Sequence, residues 1–134
     1  MATSKIKPKK KLKIAIVDDS ELTRKCMTEI LTKAGFEVAG EASSAEKAMQ
    51  ILASASVNLF IIDIVMPGLS GLDLAKVLSE KASDVKTIIM SSLNMEHIVI
   101  ESISHGAIDF LEKPFAPEDL INCIKKAEQA IQED

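Results

Sequence analysis

Apolar residues along this chain come in short, nearly unbroken runs, separated by longer stretches in which they recur every third or fourth position. The runs are KIAIV at 13–17, FEVAGEA at 36–42, NLFIIDI at 58–64, KTIIMS at 86–91 and AIDFL at 107–111. Several are too dense to alternate, which is how strands covered on both faces read, so they predict a parallel sheet with helices on each side. The stretches between them carry helix starts and stops. Ser20 to Ala34 ends at Gly35, a left-handed cap; Ser44 is placed to cap Ala45 to Ser54; Ser70 begins a helix running to about Lys81. Asn94 is placed to cap Met95 to Ser104, ahead of His105 and Gly106, and Pro117 suits the first turn of a last helix ending near Ile131. Five strands alternating strictly with five helices predict an α/β fold, an open, doubly wound, five-stranded parallel sheet of order 2-1-3-4-5.

In such sheets functional groups gather beyond the carboxyl ends of the strands, where the strand order reverses. The first strand ends at Asp18 and Asp19, the third at Asp63, the fourth at Ser91, and the fifth runs into Lys113. With the first and third strands adjacent, three carboxylates face one crevice. Two unit charges about 4 Å apart repel by roughly 1 kcal/mol in water and about 4 kcal/mol at an intermediate dielectric, so the cluster requires a cation or raised pKa values. Magnesium takes a few carboxylates, keeps several waters and completes its shell with phosphate oxygens, a better match than a closed calcium cage. Lys113 adds a point charge for a phosphoryl oxygen, and Ser91 a hydroxyl. A carboxylate can itself be the nucleophile, giving an aspartyl phosphate whose formation metal and lysine assist.

Taken singly, each residue has a plainer reading. Asp19 with Ser20 caps a helix, Asp63 is a solvated strand-end acid, Ser91 is a loop hydroxyl with Ser92 as its rival, Phe110 is a core aromatic and Lys113 a surface lysine. Their combination favours the site. VDDS at 17–20, FIIDIVMPGLSG at 60–71, IIMSS at 88–92 and DFLEKPF at 109–115, in that order from Leu12 onward, resemble the receiver domain of two-component response regulators.

That resemblance implies a flavodoxin-like receiver fold in which Asp63 accepts the phosphoryl group. Asp19 and Asp63 would ligate Mg2+ by carboxylate, Asp18 partly through water, and Val65 through its backbone carbonyl. Ser91 stands at the switch hydroxyl position, Phe110 at the switch aromatic and Lys113 at the phosphate-binding lysine, with a cis bond to Pro114; Pro67 and Gly68 match the turn after the acceptor. The implied partners are a histidine kinase and a downstream protein, which would meet the fourth helix, fifth strand and fifth helix through groups such as Glu96, Glu101, Lys125 and Lys126. Chemotaxis or motility control is the implied setting, and a phosphorelay intermediate serving a histidine phosphotransfer protein is the alternative. Such a protein is no enzyme beyond its own phosphorylation and dephosphorylation. Signalling would be a two-state shift: Ser91 and Lys113 reach the phosphoryl oxygens only after the loop following the fourth strand moves inward, and Phe110 then turns towards Ser91. Val65, two residues after Asp63, and Leu93, two after Ser91, are apolar where polar groups would guide an attacking water, which predicts a long-lived acyl phosphate.

Rival chemistries lack their patterns. A haloacid-dehalogenase-type phosphatase needs DxD after the first strand, an electron carrier a hydroxyl- or glycine-rich phosphate loop, and a dinucleotide-binding domain GxGxxG. A receiver-shaped scaffold that is never phosphorylated is disfavoured by the complete residue set.

At 134 residues and 47% apolar, the chain suits one domain, read as a body over 12–134 after a disordered basic tail over 1–11. Six lysines and no acid occupy the first 13 residues, leaving ten basic against 20 acidic residues in the rest. So acidic a body repels nucleic acid, and the tail reads as a solubilising arm. No run of 18 apolar residues exists and Ile6 is the one large aliphatic between Met1 and Lys11, which predicts a cytoplasmic protein with neither signal peptide nor membrane span. The sequence runs out at the fifth helix, the expectation for a stand-alone regulator. Cys26 and Cys123 read as free thiols in structural roles, His97 and His105 as solvated, and Met66, Met90 and Met95 as packing residues.

Overall fold

The computed structural model describes residues 11–54, 56–92 and 96–133. Strands β1 (Lys13–Val17), β2 (Glu37–Ala42), β3 (Leu59–Asp63), β4 (Lys86–Ser91) and β5 (Asp109–Glu112) alternate with helices α1 (Glu21–Lys33), α2 (Ala45–Ser54), α3 (Gly71–Lys81), α4 (Glu96–Ser104) and α5 (Pro117–Glu133). The strands form one sheet in the order β2-β1-β3-β4-β5. Every pairing is parallel, with Val17 opposite both Ala42 and Ile62 and Asp63 opposite Met90. This register brings the carboxyl ends of β1 and β3 level with each other.

The dense apolar runs match strands buried on both faces. Ala15, Val17, Phe60, Ile62 and Ile89 point to one side, against Ala48 of α2 and Leu74 and Leu78 of α3. Ile14, Ile16, Leu59, Ile61, Ile88 and Met90 point to the other, against Met27 and Leu31 of α1 and Leu120, Ile124 and Ala127 of α5. Each of these side chains larger than alanine contributes roughly 1.5–3 kcal/mol by leaving water, so the two layers of contact dominate the stability. Met66 and Met90 are buried as expected of packing residues, while Met95 lies outside the described residues. The hydroxyl of buried Thr87 finds no partner among the described residues, and nothing in the structure explains it.

The two edge strands depart from expectation. β2 is half exposed and begins at Glu37, because the Phe36 N–H returns to the Leu31 carbonyl and closes α1 instead of joining the sheet. β5 begins at Asp109, two residues beyond the predicted start, since the Ala107 N–H bonds back to Ser102 at the end of α4. Helix starts agree better. Ser20, Ser44 and Ser70 accept hydrogen bonds from the N–H groups of Thr23, Lys47 and Asp73, which satisfies otherwise orphaned donors. Gly35, with φ +91°, turns the chain out of α1 in the left-handed region. α4 begins at Glu96; its proposed cap Asn94, with Leu93, lies outside the described residues, as does the basic tail up to residue 10. No helix among the described residues is long and apolar enough to cross a membrane.

Candidate functional site

The end of β1 is fixed by the sheet, since the Asp18 N–H bonds to the Ala42 carbonyl of β2 at 3.0 Å. The Asp18 side chain is only 1% exposed. Its Oδ1 accepts the Ser20 N–H at 2.8 Å, and its Oδ2 accepts from Lys113 Nζ at 2.6 Å. Asp63 closes β3, with Oδ1 accepting the Val65 N–H at 3.4 Å and Oδ2 lying 3.5 Å from Lys113 Nζ. Asp19 is exposed at the rim, yet one carboxylate oxygen from each of Asp18, Asp19 and Asp63 lies within 4.8 Å of the others. The fourth group of the crevice, Lys113, arrives because its own N–H bonds to the Ser91 carbonyl at 2.8 Å, which extends the β4–β5 ladder to the sheet's carboxyl edge.

Three carboxylates against one ammonium leave a formal charge of −2. Burial, the largest influence on Asp63, disfavours its charged form, and the Asp18 charge adds to this; Lys113 opposes both, and the pKa ends above the ordinary carboxylate value. Burial also disfavours the Lys113 ammonium, but the hydrogen bond to Asp18 and the fields of Asp63 and Asp18 outweigh it and hold its pKa above the lysine norm. An all-oxygen donor set with two surplus negative charges fits a hard divalent cation.

The remaining predicted residues flank this crevice. Ser91 is fully buried at the end of β4, whereas its neighbour Ser92 is exposed. Phe110 is half-buried, opposite Ile89, and packs against the layer that holds α2 and α3. Val65 is 60% exposed directly after the acidic strand end. The Lys113–Pro114 bond is cis, and Gly68 has φ +79° in the turn after Asp63. Beside Lys113 a groove of about 480 Å³ opens between α1 and the β5–α5 loop, lined by Leu22, Cys26, Ile30, Pro114 and Phe115 among others.

Two residues of the site are given no role by the sequence reading. Arg24, on α1, donates from Nη1 to the Asp18 backbone carbonyl at 2.7 Å, and its Nε pairs with Glu41 at 3.2 Å. A cation so close to a helix N-terminus opposes the helix dipole, which is the signal that marks it in the sequence. Gly71 opens α3, where glycine is a poor helix former, and its N–H bonds to the Ile64 carbonyl at 2.9 Å. Two lesser readings need correction. Cys26 is exposed on α1 and so does not share the packing role of buried Cys123, whose thiol pKa burial and the Asp109 carboxylate push up to about 12. His97 is exposed as expected, but His105 is half-buried with Nδ1 2.8 Å from the Glu101 carbonyl, because it sits in the turn that closes α4.

Known proteins resemble this chain in sequence and fold. The response regulator receiver domain family model matches residues 14–125. The chain is 35% identical to the chemotaxis protein CheY of Thermotoga maritima over 114 residues, covering 85% of this chain and 95% of that protein. It is 33% identical to the chemotaxis protein CheY of Bacillus subtilis, with the same coverage. Among solved structures, the response regulator domain of Thermotoga maritima CheB superposes with a TM-score of 0.80 at 28% identity, covering 93% of this chain and 99% of that one. A CheY-like receiver domain protein from Methanospirillum hungatei shares the fold, with a TM-score of 0.84 at 24% identity over 92% of this chain and 98% of that one. In sequence span, strand order and acidic crevice alike, this chain belongs to the response regulator receiver domain family.

Proposed function

We propose that this receiver domain accepts a phosphoryl group from a histidine kinase on Asp63, with Mg2+, and signals through changed binding of a partner protein. The observation that carries the reading is the convergence of Asp18, Asp19 and Asp63 around Lys113 at the carboxyl edge of the sheet. An Asp63 oxygen attacks the phosphorus of a phosphohistidine; a P–O bond forms, the P–N bond breaks, and the imidazole leaves with the electron pair. Asp19, Asp63 and the Val65 carbonyl would hold the metal directly and Asp18 partly through water. When bound, the metal neutralises charge on the transferring group. Lys113, now on Asp18 and Asp63, turns its ammonium to a phosphoryl oxygen, and the Ser91 hydroxyl donates to another. The groove beside Lys113 leaves room for the donor to approach along α1.

Output follows from the same contacts. Drawing Ser91 inward shifts the β4–α4 connection and makes space for Phe110, and a few kcal/mol of differential binding suffices to invert a two-state population. The face that changes is α4, β5 and α5, where Glu96, Glu101, Lys125 and Lys126 are exposed beside Ile100, 61% exposed, and Ile103, 58% exposed. The exposed isoleucines suit a protein partner, and the acidic body disfavours nucleic acid. The CheY relatives support a role in chemotaxis or motility; transfer onward to a histidine phosphotransfer protein is the second reading.

Incubation with a small phosphodonor and Mg2+, followed by intact mass, tests the acceptor. The wild type is expected to gain one phosphoryl group, and neither Asp63→Asn nor the wild type in EDTA should gain it. Persistent modification of Asp63→Asn would refute the assignment. A second expectation concerns lifetime: with exposed, apolar Val65 beside Asp63, the phosphoryl group should be lost slowly. The double variant Val65→Asn, Leu93→Glu should lose it several-fold faster, because polar groups there orient water; equal or slower release in a phosphate-loss time course would contradict this.

A further inference from the structure

We infer that Arg24 is a positioning residue for the metal, acting through the backbone that carries Asp19; the inference rests on the metal-binding reading above. Asp19 is exposed and must present its carboxylate to the crevice from the loop between β1 and α1. What aims it is the pair of peptide planes on either side of its Cα. The Asp18 carbonyl lies in the plane entering Asp19, and it accepts from Arg24 Nη1 at 2.7 Å. The Ser20 N–H lies in the plane leaving Asp19, and it donates to Asp18 Oδ1 at 2.8 Å. Because each peptide unit is rigid, a hydrogen bond to one atom of each plane restrains the Cα–Cβ direction of the residue between them.

The guanidinium is itself held. Its Nε pairs with Glu41 of β2 at 3.2 Å, its side chain is only 15% exposed, and Thr28 Oγ1 lies 3.5 Å from the other Glu41 oxygen. A planar fork can hold a carbonyl and a carboxylate at once, which a lysine ammonium at the end of a flexible stem does less well. Arg24 therefore braces the acidic loop against the second strand of the sheet and touches none of the three carboxylates in the contacts described.

Charge and geometry predict opposite signs here. If Arg24 acted only as a nearby positive charge, removing it would tighten the binding of a divalent cation. As a brace, its loss should loosen binding, by about tenfold on the scale of other residues that orient metal ligands. The experiment titrates Mg2+ into unphosphorylated wild type, Arg24→Gln and Arg24→Lys, following backbone amide shifts by NMR, since the chain has neither Trp nor Tyr for a fluorescence readout. Thermal midpoints in EDTA are measured in parallel. Both variants are expected to bind Mg2+ more weakly, with Arg24→Lys weakened although its charge is retained. Wild-type or tighter affinity in either variant, whatever its thermal midpoint, overturns the inference. Should Arg24→Gln not fold, Arg24→Lys decides. Absence of Mg2+ binding by the wild type would instead refute the functional reading beneath it.

Discussion

Replacing Gly71 with alanine is expected to lower stability by about 3 kcal/mol and the melting midpoint by roughly 10 °C, although alanine is the better helix former. A methyl group there would sit 2.1 Å from the Asp63 carbonyl oxygen and 2.8 Å from the Ile64 Cα. These are backbone atoms at the end of the central strand and cannot swing aside as a side-chain tip would. Helix propensity alone predicts the opposite sign, a gain of up to about 1 kcal/mol. The displacement falls on the residue proposed to accept the phosphoryl group, so phosphorylation by a small donor should slow as well. Thermal denaturation decides between the two accounts: an alanine variant as stable as the wild type means α3 does not rest on β3 as described.

For Lys113→Met the expected result is a split. Phosphorylation should slow by about a hundredfold, the scale of losing one donor aimed at a developing charge. Mg2+ should meanwhile bind more tightly, because the ammonium 2.6 Å from Asp18 and 3.5 Å from Asp63 competes for the same oxygens. Without metal the variant should lose about 2 kcal/mol, less than for a fully buried pair since the lysine side chain is 22% exposed. The pH dependence carries a sign. Folding raises the Lys113 pKa, so its contribution is complete below the unfolded value of 10.5 and disappears as pH rises through the folded value. The methionine variant should lack that alkaline loss. Asp63 carries the same sign in a lower window, although here folding disfavours the charged form: its raised pKa costs stability as pH climbs from 3.8 through the folded value, and removing Lys113 should raise that pKa further. Metal titration, phosphorylation rate and pH-dependent denaturation together test this, and weaker Mg2+ binding by the methionine variant would count against the competition.

Much of the fold was legible because β1, β3 and β4 are covered on both faces and leave continuous apolar runs, and because serines stand where helices start. β2 and β5 were placed less well, since an edge strand shares its boundary residues with helix termini, as Phe36 and Ala107 do. The convergence of Asp18, Asp19, Asp63 and Lys113 was readable from strand ends and strand order alone. Arg24 and Gly71 were not. Arg24 works through a carbonyl, which leaves no pattern in side-chain spacing, and Gly71 is defined by the atom it lacks.

Among the described residues, α4 is the one helix of the five that buries no apolar side chain; its single buried member is Ser102, whose hydroxyl bonds back to the Ile98 carbonyl within the helix. Ile100 and Ile103 face water instead of the sheet. Little cohesion is forfeited when such an element slides, so the molecule keeps its loosest fastening on the face proposed to meet a partner, and the rigid layers beneath need not deform for that face to change.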